Sequence, residues 1–124
     1  MHYSRVDKIV IDVAPEDHDR ELAFWQGALG KTMQHYERFP EYHGTPLEKQ
    51  DIGVLVQRLG EGASRVHLDI HTTDVEAEVA RLEKLGAKRL RELNGWCLMQ
   101  DPAGMPFCVI PDKGLNEENA QPWE

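Results

Sequence analysis

The residues most able to do chemistry sit in one short stretch, Arg65-Val66-His67-Leu68-Asp69-Ile70-His71. Polar and apolar side chains alternate there without a fault. An extended backbone therefore sends His67, Asp69 and His71 to one face and Val66, Leu68 and Ile70 to the other. An imidazole beside a carboxylate can hold a proton near neutral pH, orient a ligand, or act as a general base. A polar face on an open sheet can also be simply solvated, with no further role. A second stretch near the start shows the same alternation, with Ile9, Ile11 and Val13 interleaved with Lys8, Val10 and Asp12. Laid side by side, Ile9-Val10-Ile11-Asp12 falls on Val66-His67-Leu68-Asp69, so Asp12 is the counterpart of Asp69. Other chemistries lack their residues: there is no glycine-rich phosphate loop, GxSxG elbow or HExxH, and Ser4 and Ser64 have no nucleophile context.

The elements that must position these groups follow from what flanks them. Thr73-Asp74-Val75-Glu76 fits a capping box. Val75, Val79 and Leu82 continue at helical spacing, and Leu85-Gly86 ends the pattern. A strand followed by a helix of about ten residues is predicted. In the first half, Pro15-Glu16-Asp17 opens a helix striped by Leu22, Trp25 and Leu29 and closed by Gly30-Lys31. Strand-like pieces follow each helix, at 32–36 and 52–58, then at 88–93, 96–100 and 105–110. Asp101-Pro102-Ala103-Gly104 marks the turn between the last two. Residues 37–50, punctuated by Pro40, Gly44 and Pro46, read as a loop or lid. Residues 60–63 read as the hinge between halves, and the tail 112–124 as mobile. Ile9, Ile11, Val66, Leu68 and Ile70 are expected to pack against the helices.

Composition bounds what such a chain can be. Its 124 residues give room for one domain. Fourteen Lys and Arg against 22 Asp and Glu leave a net charge of −8, a poor basis for binding nucleic acid. With 40% hydrophobic and 29% charged residues the composition is globular, and no apolar run is long enough to span a membrane. Cys97 and Cys108 have neither CxxC spacing nor the number needed for a disulfide framework. The opening MHYSRVDKIV lacks the features of a signal peptide, so a cytoplasmic protein is expected.

Two βαβββ units in so short a chain resemble the vicinal oxygen chelate superfamily. RVHLDIHTTDVEAEVARLEKLGA followed by WCLMQDPAGMPFCVI is similar to its glyoxalase-like branch, which holds glyoxalases, bleomycin-resistance proteins and extradiol dioxygenases. ELAFWQGALG resembles that family's first helix, and the similarity covers most of residues 5–111. The resemblance implies an α+β fold and a single domain over residues 1–124. Two βαβββ modules, about 5–59 and 64–111, would form a curled mixed sheet around a central cavity, with the helices outside. It also implies a homodimer.

In metal-using members of the superfamily, the ligands come from the first and fourth strand of each module. Those positions fall near Val10, Gln57, His67 and Cys108. His67 and Gln57 suit a divalent ion, but Val10 has no donor atom. A buried Cys in place of the family's carboxylate is more often a small hydrophobe. The expectation is therefore a small-molecule-binding protein without the catalytic metal. Its ligand, a modest apolar or aromatic molecule, would meet Asp12, Gln57, His67, Asp69 and Cys108, with Trp96 able to stack on it. Asp12 and His67 would be the acid–base pair if a reaction is catalysed. The alternative is a lyase, isomerase or dioxygenase dependent on a divalent metal, for which Asp12, His67 and Asp69 could supply a reduced ligand set.

Overall fold

A computed structural model describes residues 1–29, 31–37, 39–46 and 52–124. The chain opens with β1 (His2–Val13), a 3₁₀ turn (Pro15–Asp17) and α1 (His18–Leu29). Three strands follow, β2 (Gln34–Tyr36), β3 (Phe39–Pro46) and β4 (Gly53–Arg58). The same order returns as β5 (Arg65–Thr72), α2 (Val75–Lys84), β6 (Lys88–Leu93), β7 (Trp96–Gln100) and β8 (Pro106–Pro111). A ninth strand, β9 (Gln121–Trp123), ends the chain. This is an α+β fold with strands of mixed direction and two helices.

The chain divides into two compact units, one of residues 8–67 and one of residues 1–7 with 68–124. In the first, the strands lie in the order β2-β3-β4-β1. β1 and β4 run parallel because a helix and two strands intervene between them. Val13, Met33, Val54 and Val56 are buried with Ile11, Leu22, Trp25 and Leu29, which seats α1 on one face of this sheet. Register then decides the opposite face. Ile11 stands opposite Val56, so the next pair, Asp12 and Gln57, points away from the helix.

The second unit repeats the plan in the order β5-β8-β7-β6, with β5 and β8 parallel. Val79 and Leu82 of α2 pack on Cys97, Met99, Val109 and Ile70. The helix cap is Asp74, whose carboxylate accepts from the Ala77 amide at 3.1 Å. Gly86, at φ 113°, closes the helix in a conformation that other residues rarely adopt.

Three expectations change. Val66 and Leu68 lie on the apolar side of β5 but remain 55% and 44% exposed, because the α2 cluster reaches β5 only at Ile70. The segment read as a loop contains β3, paired antiparallel with both β2 and β4, while residues 47–50 of that segment lie outside the described residues. The tail read as mobile ends in β9, which pairs antiparallel with His2–Ser4 of β1.

Candidate functional site

Residues from four strands come together within the first unit, on its helix-free face. Alternation along β5 brings His67 beside β1, where its Nδ1 lies 2.6 Å from Oδ2 of Asp12. An ionised carboxylate only accepts, so Nδ1 carries the proton in this contact. The Arg65 guanidinium reaches the same Asp12 oxygen at 3.6 Å. Asp12 is 1% exposed, and its second oxygen, Oδ1, has no hydrogen-bond partner among the described residues. Gln57 pairs with Asp12 across β4, and Tyr42 pairs with Gln57 across β3, which extends the polar row.

The remaining sequence candidates belong to the other unit. Asp69 and Cys108 are Cα partners on β5 and β8, and both are buried. Leu98 of β7 stands opposite Cys108, and Trp96 lies two residues along on that same face, half-buried. Sequence reasoning did not give a role to the group around His71. Its Nδ1 lies 2.8 Å from Asp112 Oδ2 and 3.5 Å from Asp7 Oδ2. Asp7 is in turn 3.5 Å from the Arg5 guanidinium. His71 was visible on the polar face of its strand, but Asp112 sat in a tail with no pattern to flag it. Tyr42 and Arg65 were also missed. Arg65 begins the alternation that carries His67, and Tyr42 lay in the segment read as a loop.

The chain belongs to the glyoxalase-like domain family, whose model matches residues 8–110, and so to the vicinal oxygen chelate superfamily. No curated protein matches it in sequence. Among solved structures it is similar to a hypothetical protein from Bacillus halodurans C-125. That match has a TM-score of 0.66 at 16% identity and covers 92% of this chain and 98% of that one. Methylmalonyl-CoA epimerase from Streptomyces coelicolor, bound to 2-nitronate-propionyl-CoA, matches at TM-score 0.60 and 14% identity, over 93% and 99% of the two chains. The epimerase from Mycobacterium tuberculosis matches at TM-score 0.56 and 14% identity, over 86% and 87%. At such identities the likeness establishes the fold.

Of the positions that hold the family's metal ligands, His67 and Cys108 carry donor atoms that suit a metal and Val10 does not. Val10, at the first of them, is a buried aliphatic side chain with no atom to donate. The Asp12–His67 pair is a carboxylate–imidazole dyad, able to accept a hydrogen bond at Asp12 Oδ1.

Proposed function

We propose that the chain is a glyoxalase-like small-molecule-binding protein that works without the catalytic metal, with the Asp12–His67 pair as its polar anchor. One observation carries this reading. A buried carboxylate with one oxygen unpartnered among the described residues invites a donor from outside them. The ligand is small and neutral or weakly cationic, donates a hydrogen bond to Oδ1, and has an apolar or aromatic body. Asp69, Cys108 and Trp96 are proposed ligand contacts of their own unit. The exposed side chains of Val6, Leu68 and Leu90 support a homodimer as the working form.

A fragment library screened by thermal shift in the presence of chelator, with hits confirmed calorimetrically, tests the proposal. A charge-assisted hydrogen bond is worth about 1.5–3 kcal/mol, so Asp12→Asn and His67→Ala are each expected to weaken a confirmed ligand by about 10- to 100-fold. Unchanged affinity in both variants would place the site elsewhere.

The second reading, a metal-dependent lyase or isomerase, is favoured by the grouping of Asp7, His71 and Asp112, whose ligand atoms lie within 4.8 Å of one another. A ligand whose binding is abolished by chelator and by Asp112→Asn, yet survives Asp12→Asn, would support that reading over the first.

A further inference from the structure

Three imidazoles meet in the first unit, away from the site above. His18 opens α1, His35 lies on β2 and His43 on β3. The β2–β3 register sets His35 opposite His43, and their rings stack with centroids 4.6 Å apart. His18 closes on His43 at 5.2 Å between centroids. His43 pairs with Val56, a residue of the core beneath α1, whereas Asp12 pairs with Gln57. Alternation therefore places the imidazoles and the Asp12–His67 pair on opposite faces of one sheet.

Two of the rings are incompletely satisfied. His18 is 5% exposed, and its Nδ1 lies 3.0 Å from Oδ1 of Asp19. Because the carboxylate accepts, that nitrogen carries the proton and Nε2 presents a bare lone pair. His18 Nε2 is buried with no partner among the described residues, and so is His43 Nδ1. Burial pushes the His43 imidazole below its ordinary range, His35 and His18 push it further the same way, and Asp19 opposes them. Two unmet nitrogens on adjoining rings point to one species that would satisfy both.

We propose that His18, His35 and His43 form a binding site for one divalent transition ion of the zinc, nickel or copper class. Neutral imidazole nitrogen suits these ions, and three such ligands leave a position open. Asp19 behind His18 takes the part of the outer carboxylate that orients a ligating histidine. Glu16, Asp17, Asp19 and Glu21, in the opening turns, offset the positive end of the α1 dipole that would otherwise repel a cation. His35 and His43 stack rather than converge, so ion binding requires the exposed His35 ring to rotate.

The test uses untagged protein, stripped with chelator and titrated with zinc by calorimetry and with cobalt by visible absorption. The expected result is one ion per chain, cobalt bands in the visible range, and a raised melting midpoint. His35→Gln, at an exposed position, should weaken binding by at least about tenfold. His18→Gln and His43→Gln should do the same, while His67→Ala and His71→Ala should leave it unchanged. Absence of binding at millimolar metal overturns the proposal, and so does unchanged affinity in His35→Gln. Binding lost only in His71→Ala also overturns it, because the ion would then sit with Asp7 and Asp112. If His43→Gln fails to fold, His35→Gln and His18→Gln decide the matter. The small-molecule assays read other residues in the presence of chelator, so either proposal can fail without the other.

Discussion

Asp12 is a costly residue to keep, since a carboxylate hidden from water with one oxygen unmet among the described residues lowers the stability of the fold that holds it. Asp12→Asn removes the charge while leaving an oxygen for His67 to bond. The melting midpoint of the ligand-free variant is expected to hold or rise, even as ligand affinity falls. A clear drop, read by denaturant or thermal melts, would make Asp12 part of the scaffold instead. His67 and Asp12 were legible in the sequence because alternation along a strand is a local property. Their 2.6 Å contact was not, since the residues are 55 positions apart and strand pairing belongs to the whole unit. The His18, His35 and His43 cluster was hidden for the same reason. Nothing in three scattered histidines announces a meeting that β2–β3 pairing brings about.

At the scale of elements, β5 shows how alternation can be read correctly and burial wrongly. Leu68 shares a face with Ile70, yet only Ile70 is packed on the α2 cluster. Met99→Ala, at a fully buried position of that cluster, is expected to cost about 2–5 kcal/mol as a core truncation. Leu68→Ala, at a half-exposed one, should cost under about 1 kcal/mol. Chemical denaturation of the two variants checks the contrast, and equal losses would mean that Leu68 is covered in solution. The strand that escaped notice, β3, has a sequence that argues against itself, because Pro40, Gly44 and Pro46 punctuate eight residues. Gly44 is needed there for close approach. A methyl group in its place would meet Leu55 Cδ1 at 2.7 Å and the Tyr36 hydroxyl at 3.1 Å. The boundaries of α2 were easier to read, since its cap at Asp74 and its closing Gly86 act locally, whereas Gly30, expected to close α1, lies outside the described residues.

For the whole molecule, the proposed dimer has to bury faces rather than edges. β2 is only three residues long, and β6 carries Lys88, Arg89, Arg91 and Glu92 in six positions, both features that discourage edge pairing. Light scattering at micromolar protein should report twice the mass of one chain, and Leu68→Arg should shift the distribution toward single chains. A single-chain mass for the unmodified protein would remove the dimer.

The pairing of β9 with the start of β1 has a dynamic consequence. Trp123 donates from its indole to Ser4 Oγ at 2.9 Å and lies under the Arg81 guanidinium at 3.8 Å. Arg81 also grips Glu78, which His2 reaches at 2.8 Å. Strand, indole, guanidinium and carboxylate thus form one cooperative clasp that opens as a unit, short of global unfolding. Burial raises the Glu78 carboxyl, but hydrogen bonds from Arg81, His2 and Ser4 outweigh it and hold the group below its ordinary 4.5. The stabilisation is therefore complete above that pH and is lost as acid titrates the folded carboxyl. Amide hydrogens of residues 2–4 and of Gln121 and Trp123 should exchange at matching rates, and Glu78→Gln should raise both rates together. Below about pH 4.5, after correction for intrinsic exchange, both ends of the chain should lose protection ahead of the α2 core.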